Sequence, residues 1–216
     1  MLVIVSLSPA FVKAGTAGAQ IAHKANGRPF LGFVSHRYQV LFTFTPPHSD
    51  SILHPMKTAD YWISRLQLLP HPEGGFYRET YRSETLIRPP GFSGLRACST
   101  GIFFLLRSGE GSHFHRFKSD EMWHFHEGAP LAIHVLHPHG EYRRILLGRD
   151  PEQGETFQAV IPANAWFGAQ VEQPDSYTLI GCTVAPGFDF ADFELARRDD
   201  LLRLYPNHKD LIEPLT

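Results

Sequence analysis

Nine short runs of β-forming residues, separated by turn residues, follow one another between residues 75 and 184. The turns are rich in glycine and proline, as at residues 108–111 and 148–151. The runs are residues 75–82, 100–106, 112–117, 121–127, 131–136, 142–147, 157–161, 166–171 and 177–184. Many evenly spaced strands of this kind are typical of a β-sandwich or a β-barrel. We therefore expect a mainly β domain.

Two short helices should flank the strands. Thr58 is placed to cap a first helix, in which Trp62 and Leu66 share one face and which ends before Pro70. Asp192 is a candidate cap for a closing helix that stops before Pro206. The prediction is a short N-terminal and a C-terminal helix around the β domain.

The first 55 residues differ from the rest of the chain. They contain four basic residues against Asp50 alone, and they show no sustained period of two or of 3.6. We interpret residues 1–55 as a poorly ordered extension, either a targeting segment or the product of a mis-assigned start, with Met56 as the working start. The expected β domain then covers residues 56–216.

Charge and cysteine content limit the possible partners. The net charge of -2 provides no general attraction to nucleic acid or to an anionic membrane. The two cysteines, Cys98 and Cys182, form no disulfide framework and no Cys-x-x-Cys pair. Two buried thiols in a reducing compartment are the simplest interpretation, so we expect a cytoplasmic protein.

A histidine-rich stretch carries the strongest chemical signal. Alternate residues of a strand point the same way, so His113 and His115 should present both imidazoles to one face. Glu121, at the start of the next run, can aim a carboxylate at the same space. These three residues suit a divalent metal (Fe, Mn, Ni or Zn) with open positions, or acid–base chemistry without a metal.

This pattern resembles the first motif of the cupin superfamily, in which His-x-His is followed by a glutamate and a glycine, here Gly128. The resemblance implies a double-stranded β-helix, or jelly-roll, barrel. The second cupin motif is incomplete: Pro162 matches, but Phe167 occupies the position of the third metal histidine. Phenylalanine cannot bind a metal, so the usual ligand set lacks one member.

A closer resemblance, to the uncharacterised cupin-5 branch, covers nearly all of residues 58–206. Its blocks correspond to residues 70–80 (PHPEGGFYRET), 120–128 (DEMWHFHEG), 160–166 (VIPANAW) and 181–190 (GCTVAPGFDF). The resemblance implies a homodimer and no agreed activity, because this branch is described by its fold.

Four further residues are candidates for ligand binding. Trp123 should face the same interior as Glu121, by strand alternation. Trp166 offers a plane for stacking on a ring, and Gln158 offers a donor and acceptors. Arg78 lies in the first strand and would suit an anionic group.

The sequence leaves open two functions for a barrel that holds a small polar molecule. The first is an enzyme. A metal-free version resembles sugar-nucleotide epimerases, with His115 or His113 as base and Glu121 as orienting group or acid, and a metal version would use His113, His115 and Glu121 as ligands. The alternative is a binding protein without chemistry.

Overall fold

The computed structural model describes residues 57–216. The predicted extension of residues 1–55 and the proposed start at Met56 lie outside the described residues. Among the helices that are described, none has the length and apolar character needed to span a lipid bilayer.

The described chain contains thirteen strands. They are β1 (Leu69–Pro70), β2 (Phe76–Arg82), β3 (Leu86–Ile87), β4 (Arg96–Ala97), β5 (Thr100–Arg107), β6 (Gly111–Arg116), β7 (Asp120–Gly128), β8 (Leu131–Leu136), β9 (Tyr142–Leu147), β10 (Gln158–Ile161), β11 (Trp166–Val171), β12 (Tyr177–Ala185) and β13 (Glu194–Leu195). All nine predicted runs are strands, with bounds that shift by at most one residue. The mainly β prediction is confirmed.

The strands form two antiparallel sheets and a small hairpin. The larger sheet has the order β1-β2-β5-β12-β7-β10, the smaller has the order β13-β6-β11-β8-β9, and β3 pairs with β4. The inner faces of the two large sheets meet in one core. Phe104 and Trp123 come from the larger sheet, and Ile133 and Phe167 come from the smaller. This packing of two sheets is the jelly-roll arrangement that the cupin resemblance implies.

Helix α1 (Ala59–Leu66) begins as predicted, because the Thr58 side chain accepts a hydrogen bond from the Tyr61 N–H at 3.2 Å. The predicted end was the residue before Pro70, but the helix already ends at its C-cap Gln67, whose φ of 55° lies in the left-handed region. The helix packs Trp62 and Ile63 against Leu105 on the outer face of β5. It therefore covers part of the larger sheet.

The C-terminal helices α2 (Arg198–Leu204) and α3 (Lys209–Ile212) cover the outer face of the smaller sheet. Leu201 and Ile212 pack there against Phe114 and Trp166. The predicted cap at Asp192 is wrong: α2 begins six residues later. The Asp192 carboxylate instead accepts two hydrogen bonds from the buried Arg96 guanidinium, at 2.6 and 3.0 Å.

Candidate functional site

A cavity of about 460 Å³ opens between the two sheets, beside the core. Its walls come mainly from the inner faces of β2, β5, β7 and β12, with His115 contributed by β6. Its lining residues are His71, Glu73, Tyr77, Glu79, Arg82, Thr100, Ile102, Phe104, His115, Phe117, Glu121, Trp123, Cys182, Val184, Phe188, Asp189 and Phe190. We refer to this space as the barrel cavity.

The loop of residues 71–75, between β1 and β2, inserts Glu73 into the barrel cavity. The loop is closed by backbone hydrogen bonds between His71 and residues 74 and 75, and the Glu73 carbonyl accepts a bond from the His113 N–H at 2.8 Å. Gly74 has a φ of 109°, and a Cβ on it would lie 2.1 Å from the Gly111 carbonyl oxygen. Only glycine therefore lets the loop lie this close to β6.

Glu73 and His115 form a buried acid–base pair. Glu73 Oε2 lies 3.0 Å from His115 Nε2, and Glu73 Oε1 accepts a hydrogen bond from Ser112 Oγ at 2.9 Å. His115 Nδ1 lies 2.8 Å from the His113 carbonyl oxygen, which can only accept, so Nδ1 carries a proton. When His115 is neutral, its Nε2 is the acceptor, and the proton between the pair resides on Glu73.

Burial favours this neutral form of the pair. Burial, together with the nearby Glu121 charge, raises the pKa of Glu73 well above its usual value. Burial lowers the pKa of His115 to about 3. Both shifts disfavour the charged forms, so the site holds a protonated Glu73 that donates to a neutral His115.

Glu121 is a second carboxyl group in the barrel cavity. Burial raises its pKa to about 7, an effect that the neighbouring Trp123 and Cys182 side chains offset only in part. The Cys182 thiol is buried as well, and burial and the Glu121 charge raise its pKa well above the usual value. Near neutral pH, Glu121 is thus poised between its acid and base forms, whereas Cys182 stays a thiol.

The buried indole Nε1 of Trp123 makes no hydrogen bond of normal geometry among the described residues, although it lies near enough to the Glu121 carboxyl group to lower the pKa of that group. Its side chain is only 1 % exposed and lines the barrel cavity. An unpaired buried donor costs free energy unless a ligand or water supplies an acceptor. This donor is therefore a natural contact for a ligand oxygen.

The open end of the barrel cavity is lined by Glu79, Arg82 and the segment of residues 188–190. The Arg82 guanidinium donates to both oxygens of Glu79, at 2.6 and 3.0 Å, and to the Phe188 carbonyl at 3.1 Å. Arg82 is therefore already paired with a carboxylate. It joins β2 to the 188–190 segment at the opening.

Of the residues singled out from the sequence, His115, Glu121 and Trp123 line the barrel cavity. His113 does not line it, because a β-bulge on β6 interrupts the alternation: Ala169 pairs with Ser112, but Phe167 pairs with His115. Ser112 and His115, three residues apart, therefore both face Glu73. The premise that His113 and His115 share one face fails at this bulge.

The remaining three candidates lie outside the cavity. Trp166 is packed under the C-terminal helices with the Arg116 guanidinium 4.4 Å from its ring centroid. Gln158 is exposed and contacts His124 Nδ1 at 3.0 Å. Arg78 donates to the Leu66 carbonyl and to Gln67 Oε1. None of the three reaches a ligand in the barrel.

The donor set does not fit the metal that the cupin resemblance suggests. Within residues 57–216, no group of three His, Cys, Asp or Glu side chains has the spacing to hold a metal ion. His113 lies outside the cavity, His115 Nε2 faces Glu73, and the Phe167 ring lies against the His115 ring with centroids 4.0 Å apart. The proposed metal ligands His113, His115 and Glu121 are not brought together.

The cavity residues that were not singled out from the sequence include three with ionisable side chains deep in the cavity: His71, Glu73 and Cys182. Glu73 matters most, because it binds His115. One feature of the sequence could have pointed to Glu73. It is followed directly by Gly74 and Gly75, and two adjacent glycines indicate a tight loop that can approach another strand closely.

Comparisons with known proteins agree with this fold. The model of the family described as Cupin superfamily (DUF985) matches residues 60–196. A crystallised protein from Shewanella oneidensis is similar, with 46% identity, a TM-score of 0.69, and coverage of 74% of this chain and 98% of that one. A hypothetical protein from Leishmania major has 39% identity, a TM-score of 0.70 and the same coverage. An uncharacterized protein of Saccharomyces cerevisiae is 29% identical over an alignment of 171 residues, with coverage of 69% of this chain and 80% of the relative.

Proposed function

The chain belongs to the DUF985 family of the cupin superfamily, and on that premise we propose that it is an enzyme that transfers a proton at a carbon next to a carbonyl group of a small polar molecule. The observation that carries the proposal is the Glu73–His115 pair, with 3.0 Å between Oε2 and Nε2, in the same cavity as Glu121. Two carboxyl groups with separate environments can divide the acid and base roles.

The environments of the two carboxyl groups support different roles. Glu121, with a pKa of about 7, supplies a carboxylate that takes the proton from carbon. Glu73 is kept protonated by burial, and it gives to the carbonyl oxygen the proton that it donates to His115 Nε2 when no substrate is bound. Its other oxygen stays hydrogen-bonded to Ser112. The products are an enol, a protonated Glu121 and an ionised Glu73, so the charge of the cavity is unchanged. Return of the protons completes an isomerisation or an epimerisation.

The Trp123 N–H, which makes no hydrogen bond of normal geometry within residues 57–216, supports a carbonyl substrate. A carbonyl or hydroxyl oxygen of the substrate would give this donor a well-placed acceptor. Because Trp123 and Glu121 alternate to the same face of β7, such an oxygen would hold the adjacent carbon near the Glu121 carboxylate. Trp123 is in this proposal a binding residue.

Hydrogen–deuterium exchange tests the proposal without knowledge of the natural substrate. Hydroxyacetone and aminoacetone are incubated with the protein in D₂O, and loss of the proton signal next to the carbonyl is followed by NMR. We expect exchange that falls at least ~100-fold in Glu121→Gln and in Glu73→Gln. The exposed Glu141→Gln variant should keep the full rate. Equal exchange in wild type and both cavity variants would overturn the proposal.

A second candidate, a binding protein without chemistry, is favoured by one observation. The Glu73 proton and His115 Nε2 satisfy each other, so the pair is stable without a substrate. In that case hydroxyacetone and aminoacetone would shift the NMR signal of the Trp123 indole N–H, but neither compound would take up deuterium.

We also propose that the chain forms a homodimer, as its family resemblance implies. Met122 and Val160 oppose each other on β7 and β10, pointing away from the core, and are 37% and 44% exposed. Exposed apolar side chains on a sheet face are typical of a surface that another protein chain covers. Sedimentation equilibrium should give twice the chain mass for the wild type and the mass of a single chain for Val160→Glu. A wild-type mass of one chain would contradict the proposal.

A further inference from the structure

Aromatic side chains surround much of the barrel cavity. Trp123 and Phe104 line its floor beside the core, where their ring centroids are 6.2 Å apart. Phe188 contacts both Phe117 and Phe190 edge to face, with centroid distances of 5.6 and 5.0 Å. The aromatic lining residues are Tyr77, Phe104, Phe117, Trp123, Phe188 and Phe190. The negative faces of such rings attract cations.

The ionisable groups of the barrel cavity are mostly acidic. Among residues 57–216, four carboxyl groups line it, those of Glu73, Glu79, Glu121 and Asp189, and the one guanidinium is that of Arg82. Of the four, Glu73 is protonated and carries no charge. Arg82 is held by both oxygens of Glu79 and is not free to bind an anion. The two histidines are buried, and burial lowers the pKa of His71 to about 4. A carboxylate or phosphate ligand would therefore meet negative charge and no available cation.

The Glu121 carboxyl group also lacks a cationic partner among the described residues. Within residues 57–216, no lysine or arginine lies within salt-bridge distance of it. Glu121 is nevertheless buried, with an exposure of 7%. A buried carboxylate without a counter-ion is costly, and a ligand cation beside it removes that cost.

We propose that the natural ligand of the barrel cavity is a small organic cation, an amine or a quaternary ammonium compound, whose charge lies beside Glu121 and against the Trp123 ring. This assignment rests on the proposed function, because it names the substrate class of the same cavity. Glu121 and Trp123 alternate to one face of β7, so one cation contacts both the carboxylate and the indole. The aromatic walls hold the remainder of the ligand.

Three probes with the same ring and different charge test the assignment: benzylamine, benzyl alcohol and benzoate. Binding to the wild-type chain at pH 8 is followed through the indole N–H signal of Trp123, which is identified by its loss in Trp123→Phe. We expect benzylamine to bind at least tenfold more tightly than benzyl alcohol and benzoate to be the weakest of the three. Glu121→Gln should abolish the preference for the amine, and the exposed Glu141→Gln variant should retain it.

The wild-type ranking alone can overturn the assignment. Benzoate or benzyl alcohol binding as tightly as benzylamine would show that the cavity takes small molecules without selecting a cation, and the proposed function would survive. Binding of none of the three would also overturn the assignment, and the deuterium-exchange measurement then decides the proposed function separately. The indole signals of Trp62 and Trp166, which lie outside the cavity, report whether Glu121→Gln has folded.

Discussion

Replacing Gly74 with alanine should lower the free energy of unfolding by about 4 kcal/mol, because strain and overlap act together at this residue. The φ of 109° is unfavourable for any residue with a Cβ, and the new methyl group would lie 2.1 Å from the Gly111 carbonyl oxygen. That oxygen belongs to strand β6 and cannot move aside without disturbing the sheet. Urea unfolding followed by tryptophan fluorescence measures the effect.

Gly140 is the matched control. Its φ of 93° is similar, but a Cβ there would have no atom within 4 Å. Gly140→Ala should therefore cost only the backbone strain, roughly 1 kcal/mol. Because Gly74→Ala forces the loop away from β6, it should also separate Glu73 from His115 and reduce deuterium exchange. Equal losses of stability in the two variants would show that the loop is not held tightly against β6.

Glu121→Gln should stabilise the protein at pH 8 by about 3 kcal/mol relative to wild type, while leaving its stability near pH 4.5 little changed. The pKa of Glu121 is raised from 4.5 to about 7 by burial, and each unit corresponds to about 1.4 kcal/mol. The folded state holds this proton more tightly than the unfolded chain does. The contribution of Glu121 to stability is therefore present below pH 4.5 and is lost as the pH rises to 7.

The measurement is the difference in unfolding free energy between wild type and Glu121→Gln across this pH range. A difference is needed because His71 and His115, whose pKa values are lowered to about 4 and 3, contribute the opposite slope below pH 6.5 in both proteins. The exposed Glu141→Gln variant should follow the wild-type curve. A constant difference from pH 4.5 to pH 8 would mean that Glu121 titrates as an exposed carboxyl group does.

The strands could be predicted from the sequence because local patterns determine them. β-Branched and aromatic runs between glycine and proline turns recur nine times, and this signal does not depend on distant contacts. The inward direction of Glu121 and Trp123 follows from simple alternation along β7. Where a strand is regular, sequence spacing predicts which side chains share a face.

The candidate site was less predictable, for three physical reasons. The bulge on β6, opposite Gly168, depends on the partner strand, so nothing local to residues 112–115 indicates that Ser112 joins His115 in the interior. Strand β11 is buried on both faces, so the apolar character of Trp166 does not show which face it takes. Glu73 lies in a loop, where no periodicity exists to indicate its direction.

The acid–base group Glu73 is carried by five residues that precede strand β2 and are not part of the barrel wall. Side chains at residue 73 enter the barrel from outside the regular sheet, while His115, Ser112 and the aromatic walls stay fixed by strand pairing. A new reactivity can therefore be introduced by exchanging this one short insert, with Gly74 and Gly75 kept. Residue 73 is the position at which a different side chain would face the same imidazole on an unaltered scaffold.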